Sequence, residues 1–277
     1  MSRMSGFSCV VGCCVLMFTQ IGRGQTILRV DASASDPSPD GSTWVKAFPH
    51  LQDALVAVGG VGTTQIWVAE GTYMPDGGRI PPGGSHSAGS GDRAATFQLA
   101  SNVEIYGGFP TGGGDGTFNA RNEDPDTNGT VLSGDLANDD GPVFANNAEN
   151  SNHVTVGSNT DASAILDGFT ITAGNAFWDQ GGARSGGGMR NEDGSPTVSH
   201  CAFYRNSAES VGAGMYTKGV YDLTVTACTF IENNGSGMLV RSFGSTATIT
   251  DCTFIDNIRS EDHTYGGGGL MNSGADV

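Results

Sequence analysis

The chain has 277 residues, of which 44 are glycine and only 15% are charged, and its formal net charge is −16. This charge argues against binding to nucleic acid or to an anionic membrane surface, because both attract Lys and Arg side chains. The glycine content has no three-residue period, so it excludes collagen and is typical of a chain with many tight turns.

Residues 1–25 are predicted to be a signal peptide. Arg3 precedes an apolar run that ends at Phe18 and is too short to span a bilayer, and small residues near position 25 provide a cleavage site. The four residues that end at Cys13 also resemble a lipoprotein box, but the apolar run continues behind them. We therefore expect an exported protein, secreted or at the cell surface, with no transmembrane segment in the mature chain.

Residues 26–110 are predicted to form an N-terminal cap and the first coils of a β-helix. Pro49 suits the first turn of a helix, and Leu51, Leu55 and Val58 follow it at helical spacing. Such a helix would cover the open end of a solenoid core, which otherwise exposes strand edges. The first strands are predicted at residues 65–69, 96–99 and 103–106.

Residues 111–277 are predicted to be β-helix repeats. Three units carry a Gly-x-Gly-Met motif followed by Cys-x-Phe-x-x-Asn, and the cysteines recur after 27 and then 24 residues. A fixed period of this size indicates a repeat architecture, and it is shorter than the roughly 30 residues of a strand–helix–strand crossover. The recurring residues are Cys201, Phe203, Asn206, Cys228, Phe230, Asn233, Cys252, Phe254 and Asn257.

The spacing within each unit predicts how a coil is built. Cys and Phe are two residues apart, so both point inward from one strand, and a step of three before Cys predicts a bend. Stacked parallel coils then place like side chains above like, as a Cys column, a Phe column and an Asn column. The sequence therefore predicts an all-β, right-handed parallel β-helix with a short N-terminal capping helix. The Asn column is interpreted as stacked amides that satisfy one another and the backbone.

The three cysteines of the mature chain, Cys201, Cys228 and Cys252, have two interpretations. As one inward column they are buried thiols that act as small hydrophobic residues. In an exported protein, one disulfide between adjacent coils, with one thiol left over, is the alternative.

The Gly-Gly-x-hydrophobic and Phe-x-x-Asn pairs resemble the repeats of polymorphic outer-membrane proteins and of other right-handed β-helix proteins of the pectate-lyase-like superfamily. Residues 28–110, with motifs such as Tyr106-Gly107-Gly108-Phe109, are similar to the start of secreted bacterial members. For an enzyme, this resemblance implies Asp clusters that hold Ca²⁺ and an Arg or Lys base, or paired carboxylates. The signature motifs of the polygalacturonases and of the lyases are not found in the sequence, so the catalytic residues are unknown.

One segment has the spacing of a calcium loop. Asp124, Asp126 and Asn128 occupy positions 1, 3 and 5, Gly129 occupies position 6, and Asp135 occupies position 12. Oxygen ligands at these positions are what a calcium loop requires. No helices are expected on either side and Asp replaces the usual Glu, so an Asp/Asn/Gly turn between coils is the alternative. Ca²⁺ is the one cofactor that the sequence suggests.

The sequence favours a non-catalytic scaffold for adhesion or glycan binding, with a polysaccharide, a cell-surface glycan or a protein as its partner. A polysaccharide lyase or glycoside hydrolase is the alternative, because the same fold carries both kinds of function. A convergent set of Asp and Arg side chains in a groove would favour the enzyme, and a face lined with Thr, Ser and Asn would favour the scaffold. The repeats are expected to continue beyond residue 277.

Overall fold

The computed structural model describes residues 25–59, 62–78, 89–177, 184–219, 222–241, 246–258 and 268–274. The predicted signal peptide lies outside these residues apart from position 25, so its export role stays a prediction.

Most of the regular structure consists of short strands. The first ten, in chain order, are β1 (Thr26–Val30), β2 (Thr64–Ala69), β3 (Gly71–Tyr73), β4 (Phe97–Gln98), β5 (Val103–Phe109), β6 (Thr130–Ser133), β7 (Thr155–Val156), β8 (Ile165–Asp167), β9 (Thr170–Thr172) and β10 (Asn175–Ala176). The others are β11 (Met189–Glu192), β12 (Thr197–Ser199), β13 (Ala202–Tyr204), β14 (Ser207–Ala208), β15 (Met215–Lys218), β16 (Leu223–Thr226), β17 (Thr229–Ile231), β18 (Met238–Arg241), β19 (Ala247–Thr250), β20 (Thr253–Ile255) and β21 (Leu270–Ser273).

These strands form three long parallel sheets, because each strand pairs with the equivalent strand of the next coil. Sheet A has the order β1-β2-β5-β8-β12-β16-β19, sheet B contains β3, β6, β9, β13, β17 and β20, and sheet C contains β4, β7, β11, β15, β18 and β21. The short strands β10 and β14 pair separately, also in parallel. The predicted all-β parallel β-helix is confirmed.

The register of sheet B stacks like residues between coils. Phe203, Phe230 and Phe254 are direct register partners, and their rings lie 4.8 and 4.9 Å apart and within 5° and 8° of parallel. Ile171 of β9 continues this column toward the N-terminus. The stacked residues belong to one apolar core that runs through the coils.

One sharp corner of the coil uses left-handed backbone, in most coils at a residue other than glycine. The corner between sheets A and B contains Gly168, His200, Ala227 and Asp251, whose φ angles are 82°, 45°, 51° and 54°. Left-handed backbone turns the chain within a single residue, which is why the apolar spacing changes from two to three at this point.

The Asn residues lie at the turn that follows sheet B. The backbone N–H of Asn206 donates to Asn233 Oδ1 (2.9 Å), and the N–H of Asn233 donates to Asn257 Oδ1 (3.1 Å). Asn233 Nδ2 donates to the carbonyl of Phe203 (2.8 Å). The Asn233 amide therefore bonds its own coil to the coils before and after it.

The three cysteines are free thiols; Cys201 and Cys228 are buried and Cys252 is partly buried. Cys228 Sγ lies 3.3 Å from the carbonyl of Thr226, two residues before it. A hydrogen bond with the Cys201 thiol, together with burial, raises the pKa of Cys228 well above its usual value. These contacts are those of side chains packed between coils.

The predicted capping helix is confirmed as α1 (Leu51–Ala57). Leu51 and Ala54 are buried in the core, and Leu55 and Val58 pack against it. Gln52 Nε2 donates to the carbonyls of Pro75 (2.6 Å) and Thr96 (2.9 Å), which ties the helix to the first coils.

Candidate functional site

A long loop projects beside sheet B between β6 and β7. Its two ends are held side by side, because the N–H of Ser151 donates to the carbonyl of Gly134 (2.8 Å). The N–H of Gly134 in turn donates to the carbonyl of Thr172 in the next coil (2.9 Å). We call residues 134–150 the projecting loop; it forms one wall of two neighbouring clefts.

The first cleft, here called the acidic cleft, has a volume of about 390 Å³. Its lining residues are Ser133, Asp135, Asp140, Gly141, Pro142, Phe144, Thr172, Ala173, Tyr204 and Arg205. Ser133, Thr172 and Tyr204 come from three successive strands of sheet B and are direct register partners. Because their neighbours Leu132, Ile171 and Phe203 are fully buried, these three polar side chains face outward.

Arg205 lies at the far side of the acidic cleft and is already paired. Its Nε donates to Glu232 Oε2 (2.6 Å), and its guanidinium lies 5.0 Å from the centre of the Tyr204 ring. The hydrogen bond with Glu232 raises the pKa of Arg205 further above its usual value. The guanidinium is therefore held as a cation against an aromatic ring.

Four carboxylates of the projecting loop converge next to the acidic cleft. One oxygen from each of Asp135, Asp139, Asp140 and Glu149 lies within 4.8 Å of the others. Asp135 accepts hydrogen bonds from the backbone N–H groups of Asp139 and Asp140 (3.1 Å each). Partial burial, followed by repulsion from Asp135, Glu149 and Asp139, raises the pKa of Asp140, although a hydrogen bond from Asn150 opposes this shift.

The second cleft, here called the amide cleft, has a volume of about 420 Å³ and shares Phe144 with the first. It is lined by aromatic rings, amides and one guanidinium: Arg93, Phe144, Asn147, Ala148, Asn175, Phe177, Ser207 and Asn234. Asn175, Ser207 and Asn234 are register partners on successive coils, so their polar side chains form a row.

The walls of the amide cleft are held by bonds to the backbone. Arg93 donates from Nε to the carbonyl of Asn150 (2.8 Å) and from Nη2 to the carbonyl of Asn175 (3.0 Å). Asn175 Nδ2 donates to the carbonyl of Asn147 (2.6 Å) in the projecting loop. Aromatic faces beside fixed amides are able to pack on apolar faces and to bond to hydroxyl groups of the same ligand.

The residues of the predicted calcium loop make hydrogen bonds with nearby polar groups. Asp124 Oδ1 accepts from the N–H of Asp126 (3.1 Å), which is the bond of an Asx turn. Asn128 is buried and uses both ends of its amide, since Oδ1 accepts from Thr130 N–H (2.8 Å) and Nδ2 donates to Gly168 O (2.9 Å). Asp135 belongs to the carboxylate group of the projecting loop, which contains neither Asp124 nor Asp126. Calcium binding by residues 124–135 stays a prediction.

A second polar network lies on the outer face of sheet A. Asp167 forms a buried ion pair with Arg121, accepts from Ser199 Oγ (2.5 Å) and lies 2.9 Å from His200 Nδ1. Burial would raise the pKa of Asp167, but the hydrogen bonds from Ser199, His200 and Arg121 outweigh it and lower that pKa. Because Arg121 also donates to the carbonyl of Gly107 (3.0 Å), this network fastens the segment before β6 to sheet A.

The sequence gives no signal for Arg93, Phe144 and Phe177, which lie outside the repeated Gly-x-Gly-Met and Cys-x-Phe-x-x-Asn motifs. His200 occupies a corner of the coil and is also bonded to Asp167. One signal was available: Ser207 and Asn234 directly follow the Asn column and are polar in both repeats.

Comparison with known proteins agrees with this architecture. A family model described as a right-handed β-helix region matches residues 128–276, which is more than half of the chain. The chain therefore belongs to the right-handed β-helix family, and its coils are right-handed as predicted. No curated protein and no solved structure matches the chain significantly. Among the described residues, no helix has the length and apolar character needed to cross a membrane.

Proposed function

We propose that this chain is an exported β-helix scaffold that binds glycans through the acidic and amide clefts, without catalysis. The observation that carries the proposal is the combination of Phe144, Phe177 and Tyr204 with partly exposed polar side chains, those of Thr172 and Asn234, along one side of the coils. Sugar rings offer apolar C–H faces and many hydroxyl groups, and this lining provides a partner for each.

The charge of the clefts favours a neutral glycan. The acidic cleft contains Asp135 and Asp140, and the whole chain has a net charge of −16. A polyuronate would therefore meet like charge on approach, whereas a neutral polysaccharide would not. Export and a cell-surface location are part of the proposal and rest on the apolar segment that follows Arg3.

The alternative function is that of a polysaccharide lyase or glycoside hydrolase, and one observation favours it. Asp135, Asp140 and Arg205 line the same cleft, and the pKa of Asp140 is raised, as a general acid requires. A lyase base would have to lose a proton, and Arg205 is held in its charged form by Glu232. A hydrolase that uses the two Asp carboxyls is therefore the form of this alternative that has more support.

A binding assay on the mature chain tests the proposal. Titration calorimetry with a panel of neutral and acidic polysaccharides should show binding of a neutral one. Tyr204→Ala and Phe144→Ala should each raise its Kd at least about tenfold, because each removes an aromatic face. Tyr216→Ala is the matched control, since Tyr216 lies on sheet C.

The same incubations separate the two functions. If the unaltered chain forms new reducing ends and Asp140→Asn does not, the protein is a hydrolase and the non-catalytic scaffold is refuted. Unsaturated products would indicate a lyase. If no polysaccharide binds, or if the cleft variants bind as well as Tyr216→Ala, glycan recognition by these clefts is refuted.

A further inference from the structure

We propose that the projecting loop holds a divalent cation, with Asp135, Asp139, Asp140 and Glu149 as its carboxylate ligands. Among the described residues, these four form a group in which one carboxylate oxygen of each lies within 4.8 Å of the others. They are contributed by a single short stretch of chain whose ends are tied together at Gly134 and Ser151.

Four like charges at this separation repel one another unless something compensates them. The guanidinium of Arg93 interacts electrostatically with Glu149. Like charges whose oxygens lie within 4.8 Å of one another repel strongly at a partly buried site. A divalent cation would remove most of this repulsion.

A separate observation points to a missing ligand at the same place. Asn150 is only 1% exposed, and its amide touches the group through the bond from Nδ2 to Asp140 Oδ2 (2.8 Å). Asn150 Oδ1 is buried and has no hydrogen-bond partner among the described residues, and the same holds for Glu149 Oε1. Buried acceptors without a partner are costly, and a cation satisfies them.

The Asn150 amide supplies a fifth oxygen if its two ends exchange. Rotation by half a turn would replace the N–H that faces Asp140 with Oδ1, because the two ends of an amide have nearly the same shape. The ligands would then be four carboxylates and one amide oxygen. All are hard oxygen donors, which excludes a preference for zinc or copper.

The number of protein ligands favours Ca²⁺ over Mg²⁺. Calcium takes six to eight oxygens in flexible geometry, whereas magnesium keeps several waters and is usually held by one or two carboxylates. With calcium bound, Asp140 would be fixed, and so would the Gly141–Phe144 segment that lines both clefts. Only this last consequence rests on the proposed function; cation binding itself does not.

The test is calorimetric titration of Ca²⁺ into the mature chain after treatment with a chelator, without any glycan. We expect one site, with Mg²⁺ binding at least tenfold more weakly. The double variant Asp139→Asn/Asp140→Asn should raise the Kd for Ca²⁺ at least tenfold. Asp126→Asn is the matched control, because it removes one exposed carboxylate from the separate turn at residues 124–128, and it should leave the Kd unchanged.

Circular dichroism would check that each variant is folded. If the double variant does not fold, Asp139→Asn alone replaces it, since Asp139 is exposed. The inference is overturned if the chain does not bind Ca²⁺, or if the variants of the projecting loop bind it as tightly as the unaltered chain. Loss of binding in Asp126→Asn with retention in the double variant would also overturn it and would favour residues 124–135.

Discussion

Replacement of Asn233 by Ala should destabilise the β-helix strongly. Asn233 is fully buried, and its amide makes four hydrogen bonds. Oδ1 accepts from the backbone N–H of Asn206 (2.9 Å) and from its Nδ2 (3.2 Å), while Nδ2 donates to Phe203 O (2.8 Å) and to Asn257 Oδ1 (2.8 Å). No solvent reaches this turn to replace them.

The magnitude follows from these bonds. The N–H of Asn206 would be left buried without its partner, which costs about 1–3 kcal/mol. Each of the three other bonds contributes about 0.5–1 kcal/mol net, so the total loss is about 2.5–6 kcal/mol. For a chain of this size, 1 kcal/mol corresponds to about 2–4 °C in Tm, so Tm should fall by roughly 10 °C.

The neighbouring Asn234 provides the control. Its side chain makes one long contact, from Nδ2 to Ser207 Oγ (3.5 Å), so Asn234→Ala should change the free energy of unfolding by less than about 1 kcal/mol. Denaturant unfolding followed by circular dichroism compares the two variants. Equal losses, or a loss below about 1 kcal/mol for Asn233→Ala, would refute the role of the Asn column as the connection between coils.

Two further predictions concern packing and pH. A Cβ at Gly214 would lie 2.5 Å from Gly237 O and 2.9 Å from Phe230 Cδ1, so Gly214→Ala should cost several kcal/mol and lower Tm clearly. Gly116→Ala, where nothing lies within 4 Å, should cost only about 1 kcal/mol, and equal effects would contradict the packing argument. Burial lowers the pKa of His153 to about 4, so the unfolded chain takes up this proton first as the pH falls below about 6.5. Stability should therefore decline by about 2–3 kcal/mol between pH 6.5 and 4, and urea unfolding of His153→Gln should show a smaller decline; an unchanged pH profile would remove His153 as the cause.

The repeat pattern predicted the fold because parallel coils are built from local, repeated chemistry. Cys228 directly precedes β17 and Phe230 lies within it, both side chains are buried, and the same pair recurs one coil later, so the register follows from matching like with like. Leu51, Leu55 and Val58 predicted the capping helix for a similar reason, since helical spacing is visible within two turns.

The clefts could not be predicted in this way. Phe144 lies in a loop without a repeated motif. It lines the same cleft as Asn234 because the coils stack on one another. Asp124 and Asp135 occupy positions 1 and 12 of the calcium-loop spacing, yet the turn at Asp124 is closed by its own side chain. The contact of Asp135 with Glu149 depends on the way the projecting loop folds back, and no spacing rule expresses that.

The sequence by itself therefore determined the coil: the inward columns, the corners and the polar face of each strand, because side-chain alternation and the repeat period are properties of neighbouring residues. Only the tertiary structure decided where chemistry is possible. Stacking brings residues from separate coils into one cleft, and closure of the projecting loop at Gly134 and Ser151 brings four like charges together. Both arrangements depend on contacts between residues far apart in the chain, which leave no periodic signal in the sequence.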